Sequence, residues 1–286
     1  MKSFKSAVLG TAFSLFALSI VPTATGAEQF RGNWSIAPSK QAGMVKFGIT
    51  HNDDDGQSQH ESDWPVSALQ GIDLATPGKH DVKFTINREA GRIDAEGFVK
   101  NGEGAGIFHF EPNPNYAPAM ARLGFDDIDT HKQFAMAVHD VTLEFARTMK
   151  AENLNGTDTD KLIAFRIFNV SPQFIRELRA ERLPAKDADT LIAFRVHEVT
   201  PENVRALRKT GLELDEDQLI AFHVHGVTPE YVAKVRSMGL GQPDADQLIA
   251  LRVHEVTPEY IAQMKSRGLK NLTLERLIEL KVHDIE

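Results

Sequence analysis

A phrase of twelve residues recurs in the second half of the chain, and it limits the fold more than any other feature. It reads LIAFRVHEVTPE from Leu191, LIAFHVHGVTPE from Leu219 and LIALRVHEVTPE from Leu248. The column that holds histidine recurs every 28 or 29 residues, at His139, Phe168, His197, His225, His254 and His283. Self-similarity at this period indicates repeat units that bury their apolar faces only against neighbouring units.

Each unit is predicted to be a hairpin of two short helices. Asp244 followed by Gln247 has the pattern of a capping box at the start of the first helix. Thr257, directly before a proline, suits the start of the second helix, and Gly268 suits its end. We therefore expect residues 112–286 to form an α-helical hairpin array, an α-solenoid. Stacking must stabilise such helices, because they are too short to be stable alone.

The preceding region, residues 28–111, has an apolar period of two instead. Val82 and Phe84 alternate with polar residues, as is typical of a strand with one buried face. Gly102 after an asparagine is a strong signal for a two-residue hairpin turn. The glycine-rich segment 102–106 could cradle a phosphate, but it leads into a strand pattern and not into a helix, which favours a hairpin or bulge. The sequence therefore predicts five to seven antiparallel strands, as a small barrel or sandwich, and an α+β fold.

The first 27 residues have the pattern of a cleaved secretory signal. Lys2 and Lys5 precede an apolar run over residues 7–21 and a stretch of small residues ending at Ala27. We therefore expect a periplasmic or secreted protein without stable membrane insertion after cleavage; retention of the segment as an anchor is the alternative. The absence of cysteine excludes disulfides and thiolate chemistry, and the net charge of -8 argues against a nucleic-acid partner.

The histidine column has three interpretations: metal binding, pH sensing, or closure of each first helix. Equivalent side chains in a helical stack lie roughly 10 Å apart, so two of them could share a zinc ion only after distortion. A histidine at a helix C-terminus interacts favourably with the helix dipole and can reach the free carbonyls. Phe168 can fill such a position but cannot bind a metal or a proton. The structural role is favoured, and pH sensing stays open.

Two charged columns flank the histidines. Arg166, Arg195 and Arg252 lie two places before them, with His223 and Lys281 at the equivalent positions; acidic residues follow them at Asp140, Glu198, Glu255 and Asp284. A solvated charged face is one interpretation, and a recognition surface for a partner is the other. The residues predicted to bind a partner are Arg166, Arg195, His197, Glu198, His225, Arg252, His254 and Glu255.

The strand region also holds polar clusters, but none of them predicts catalysis. His51, Asp53, Asp54, Asp55 and His60 could hold calcium or a transition metal, yet the alternate acidic positions of a helix-loop-helix calcium site are missing. The residues from His60 to Asp63 have the letters of a hydrolase triad, but neighbouring strand residues point to opposite faces. The zinc-peptidase motif HEXXH, the GxSxG elbow and the P-loop are absent from the sequence. We therefore predict no catalytic residue, no metal and no cofactor.

The repeats resemble those of a group of poorly characterised bacterial envelope proteins. Strand residues carry the same likeness, at 88–91, 104–110 and 112–114. The module is also similar to the exported C-terminal part of some membrane metallopeptidase regulators related to beta-lactam sensors. The family's usual glycine after the histidine is present at Gly226, whereas Glu198 and Glu255 replace it in neighbouring units. Because the peptidase motif and its membrane helices are missing, the resemblance implies an exported interaction module and no catalytic role.

The leading hypothesis is a non-catalytic exported module that binds a protein or peptide in the cell envelope. One alternative is a carrier of small apolar ligands, for which we expect a pocket beneath Trp34, Phe47 and Phe84. A filled core at those residues argues against a carrier. The other alternative is an unrecognised hydrolase, which would need a cleft with acids of perturbed pKa near His51 or His60.

Overall fold

The computed structural model describes residues 30–53, 56–269 and 272–283. The predicted secretory signal, the acidic residues Asp54 and Asp55, and Asp284 lie outside the described residues. Six strands come first: β1 (Arg31–Pro38), β2 (Met44–Asp53), β3 (Gly56–Pro65), β4 (Lys79–Arg88), β5 (Gly91–Lys100) and β6 (Glu103–Pro112). A single turn of 3-10 helix, Val66–Ala68, follows β3.

The strands form one antiparallel sheet in the order β3-β2-β1-β6-β5-β4. Two three-stranded meanders therefore meet where β1 pairs with β6, with Trp34 opposite Gly106. β3 and β4 are the two ends of this order, so within the described chain the sheet is not a closed barrel. The connection after β3 covers the outer edge of β4 instead, because Gln70 and Thr85 exchange two backbone hydrogen bonds of 2.9 Å.

Glycines on β5 and β6 leave room for a tryptophan. Gly97 and Gly106 face each other across the two strands, and a Cβ on Gly106 would lie 2.6 Å from the indole nitrogen of Trp34. That nitrogen donates to the carbonyl of Glu96 at 3.0 Å. The turn before β6 has positive φ at both central residues, 55° at Asn101 and 83° at Gly102. The predicted two-residue hairpin is confirmed, and the glycine-rich segment leads into a strand.

Twelve helices follow within the described residues. They are α1 (Tyr116–Arg122), α2 (Thr130–Val138), α3 (Leu143–Ala151), α4 (Thr159–Ile167), α5 (Pro172–Ala180), α6 (Ala188–Val196), α7 (Pro201–Arg208), α8 (Glu216–His225), α9 (Pro229–Ser237), α10 (Ala245–Val253), α11 (Pro258–Ser266) and α12 (Leu274–Val282). The first unit is α2 with α3, the fifth is α10 with α11, and α12 begins the sixth. The α+β class and the helical array are confirmed.

Side-chain caps define where these helices begin. A capping box forms at Asp244, as predicted, and another at Asp215. In each, the carboxylate accepts from the backbone N–H of the glutamine three residues on, and the side-chain oxygen of that glutamine accepts from the backbone N–H of the aspartate. Thr257 caps α11 by accepting from a backbone N–H three residues on. Gly268 follows α11 with φ of 79°. Each cap satisfies backbone groups that the short helix leaves unpaired, so the hairpin pattern is set locally.

The first unit packs directly against the sheet. Gln133 is buried, and its amide nitrogen donates to the carbonyls of Ala90 at 2.6 Å and Asn113 at 2.8 Å. The ring of Phe134 stacks on Phe108 with centroids 5.3 Å apart. The sheet and the array therefore share one apolar core, which fixes their relative position.

Candidate functional site

The arginine column connects consecutive repeat units. Each arginine donates from Nε to a backbone carbonyl at the end of the preceding unit's first helix. The bonds are Arg166 to His139 at 3.0 Å, Arg195 to Asn169 at 2.9 Å and Arg252 to His225 at 2.8 Å. A cation at this place neutralises the negative end of the helix dipole and satisfies a free carbonyl.

The same cations lie over aromatic rings of the preceding unit. With the distance from cation to ring centroid, the pairs are Arg166 over Phe145 (5.2 Å), Arg195 over Phe174 (4.3 Å), Arg252 over Tyr231 (4.9 Å) and Lys281 over Tyr260 (5.2 Å). We call each such pair an interunit clamp. A cation–π contact contributes about 0.5–1 kcal/mol at a partly exposed site.

These contacts give a structural role to three of the predicted binding residues. The guanidinium groups of Arg166, Arg195 and Arg252 each contact the preceding unit. The acidic column occupies a position with its own backbone constraint. The residue after the histidine has a left-handed conformation, with φ of 54° at Glu198, 55° at Glu255 and 66° at Gly226. This is the residue that ends the first helix, and glycine adopts its conformation at least cost.

The histidines lie at the ends of the first helices, as predicted. His197 and His254 are C-cap residues, and His225 is the last residue of α8. Their side chains are exposed or half-buried. His139 differs because its ring faces that of His60 on β3, with centroids 4.5 Å apart. Burial, the neighbouring His60 and Arg166 lower the pKa of His139 to about 4.

A row of exposed aliphatic side chains accompanies the histidines, and sequence analysis missed it. The residue directly before each histidine is 50% exposed at Val196, 52% at Val224 and 49% at Val253. Ile167, Val282 and the ring of Phe168 are exposed in the same row. We call this row, with His197, His225 and His254, the Val–His ridge. The sequence does contain a signal for this row: the residue before the histidine position is apolar, in addition to the apolar positions that the helical period assigns to the core.

The sheet covers the first position of the same row. Val138 is only 6% exposed. Together with His139 it lines a cleft of about 440 Å³, whose opposite wall includes Ile49 and His60. The ridge of the later units is therefore continuous with a surface that already packs against a sheet in the first unit.

Several histidines and acids line this cleft. His51, His60, His131 and Asp160 are among them. Within the described part of the chain, no group of three or more His, Asp or Glu side chains could hold a metal ion. The acidic residues of the cluster, Asp53, Asp54 and Asp55, lie outside the described side chains.

His60 and Ser62 contact each other, which sequence analysis did not anticipate. They are two residues apart on β3 and so share a face, and His60 Nε2 lies 3.1 Å from Ser62 Oγ. Ser62 also accepts a hydrogen bond of 2.9 Å from the indole of Trp64. On its other side the His60 ring meets His139, where a hydrolase triad would place a carboxylate. Burial lowers the pKa of His60.

One interunit clamp is missing, between the third and fourth units. Asn203 stands in the aromatic column and His223 in the arginine column. Around them lies a pocket of about 370 Å³, which we call the unit 3–4 pocket. Its walls are mostly aliphatic and aromatic: Val199, Val204, Leu207, Leu219, Phe222 and Val227. The pocket therefore lies where the array lacks both members of a contact that it makes elsewhere.

The fold and these surfaces define an α+β protein whose antiparallel sheet caps a stack of helical hairpins. Comparison of the chain with protein-family models, with curated proteins and with solved structures finds no match. In the described ranges, no helix has the length and apolar character needed to cross a membrane.

Proposed function

We propose that the protein is a non-catalytic exported module that binds a protein or peptide in the cell envelope through the Val–His ridge. The exposed row of Val196, Val224 and Val253 carries this proposal. Large exposed apolar patches mark interaction sites, and here exposed valines recur at the same place in three consecutive units. Equivalent positions along a solenoid give an extended surface suited to a partner that contacts several units at once.

The first unit supports the same proposal from within the molecule. There the valine and histidine of the row are covered by β2 and β3, so this surface is compatible with a packed interface. The histidines and the flanking Glu198 and Glu255 supply polar groups at the rim of the apolar row. A dry centre with a polar rim is the usual composition of a protein interface.

The two alternatives have less support. A carrier needs an apolar cavity inside the sheet, but Trp34, Phe47 and Phe84 are buried against one another, with ring centroids 5.0 Å and 6.0 Å apart. A hydrolase would use Ser62 and His60, yet Ser62 is not among the residues that line the neighbouring cleft. The interaction module is therefore the better-supported function.

The test uses a matched pair of single substitutions. Val224→Lys places a charge on the ridge, whereas Ile107→Lys places one at an equally exposed apolar residue on β6. Tagged full-length chains capture partners from envelope extract, and circular dichroism checks that each variant is folded. We expect Val224→Lys to capture at least tenfold less partner than the unchanged chain, and Ile107→Lys to capture the same amount. Equal capture by both variants, or no specific capture by the unchanged chain, would contradict the proposal.

A further inference from the structure

The missing clamp leaves the place of an aromatic ring empty. Four second helices carry an aromatic residue at the same position, namely Phe145, Phe174, Tyr231 and Tyr260, and α1, which precedes the first unit, carries Tyr116 at the equivalent position. In α7 this position is Asn203, which is exposed. The arginine that would cover the ring is replaced by His223, which is also exposed. Both changes fall on the same pair of units, so the pocket is a single local departure from the repeat.

A side-chain amide bonds at the same helix end. Arg166 and Arg252 donate to the carbonyl at the histidine position, whereas Arg195 donates to that of Asn169, one residue further on. The equivalent of Asn169 in the third unit is Glu198, and the side-chain amide of Asn203 donates to its carbonyl at 3.3 Å. One of the carbonyls that an arginine contacts elsewhere therefore has a donor, whereas the missing ring has no replacement.

A second internal comparison indicates where a phenol hydroxyl would bind. Tyr116 donates to the carbonyl of Val141 at 2.6 Å, and Tyr231 donates to the carbonyl of Val256 at 3.3 Å. Val227 is the equivalent residue next to the pocket, and it forms part of the lining. A tyrosine ring in the pocket can thus reach the acceptor that the array's own tyrosines use.

We propose that the unit 3–4 pocket receives an aromatic side chain, tyrosine above all, that is presented by the partner protein. Aliphatic walls suit the faces of a ring, and the Val227 carbonyl suits its hydroxyl. The pocket adjoins the Val–His ridge, since His223 and Gly226 lie on either side of Val224 and His225 in the chain. A partner that lies along the ridge can therefore insert one ring between the third and fourth units.

The test measures p-cresol, the side chain of tyrosine, binding to the isotope-labelled full chain by NMR. We expect saturable shifts at the amides of Gly226 and Val227 and at the side-chain amide of Asn203. Asn203→Tyr supplies the ring from within and should weaken p-cresol binding at least tenfold. His223→Arg restores the cation and should tighten it about two- to fivefold, by placing a guanidinium over the bound ring.

An arginine side chain in the pocket would reverse the expected effects of the two substitutions. If the pocket receives an arginine, propylguanidinium will bind in place of p-cresol, His223→Arg will block it and Asn203→Tyr will strengthen it. That pattern, or the absence of saturable shifts with p-cresol, would overturn the proposal. Asn203→Phe serves as a second blocking variant if the tyrosine variant is unstable.

The inference rests on the proposed function for the statement that a partner presents the ring. Its test needs no partner, whereas the capture test with Val224→Lys keeps Asn203 and His223 unchanged. Loss of p-cresol binding and loss of partner capture are therefore separate results.

Discussion

His139 makes the stability of the protein depend on pH in a way that can be calculated. Its ring lies at the end of α2 between the sheet and the array, where it faces His60 and Arg166 and stands next to Asp140. Burial is the largest cause that lowers its pKa, followed by the positive charge that His60 and Arg166 place nearby. At acid pH a proton is therefore added to the His139 side chain, which the folded protein keeps neutral.

The sign and size of the pH effect on stability follow from the pKa of His139 in the folded and in the unfolded chain. The pKa of His139 is about 4 in the folded protein and 6.5 in the unfolded chain, so the unfolded chain binds more protons between these values. The stabilisation is present above pH 6.5 and is lost as the pH falls towards 4. Since each pKa unit corresponds to about 1.4 kcal/mol, the loss approaches about 3 kcal/mol.

The assay compares the unchanged chain with His139→Phe, because phenylalanine occupies the equivalent position at Phe168. Urea unfolding is followed by tryptophan fluorescence at pH 7.0 and pH 4.5. We expect the unchanged chain to lose about 2–3 kcal/mol more than the variant over this range, since other titrating groups cancel in the comparison. His254→Phe, at an exposed histidine, is the control. An equal loss in the unchanged chain and His139→Phe would refute the reasoning.

Two further substitutions test the backbone arguments by urea unfolding. Glu255→Gly relieves a left-handed residue where Gly226 stands one unit earlier, so it should raise the free energy of unfolding by about 1 kcal/mol; Glu255→Ala keeps the conformation and should show no gain. Gly106→Ala places a methyl group against the indole of Trp34 and should cost about 2 kcal/mol or more. Gly48→Ala, on β2, meets only side-chain atoms of Ser35 and Glu61, which can move aside, and should cost less; equal costs would contradict the packing argument.

The local pattern of the array could be predicted because it depends on residues close together in the chain. Asp244 and Gln247 form their capping box across three residues, and Thr257 caps its helix over the same distance. The strand alternation likewise placed Val82 and Phe84 on the buried face. These features are set by local hydrogen bonds and by the period of burial, which the sequence shows directly.

The role of the charged columns could not be predicted in the same way. Arg195 meets Phe174 and Asn169, which belong to the preceding unit, so its contact depends on how two hairpins stack. Periodicity shows that such residues recur, but it does not show which face of the stack they occupy. One signal was available: the aromatic residue and the arginine of the next unit are lost together, at Asn203 and His223.

Departures from the repeat therefore mark the places where something other than a neighbouring unit contacts the array. In the first unit, Gln133 replaces the buried leucine of later units and Phe134 replaces an isoleucine, and both side chains contact the sheet. A repeat that stacked only on itself would gain nothing from either change. By the same argument, the paired change at Asn203 and His223 leaves an apolar pocket that no described part of the chain fills, which favours a contact from outside the molecule.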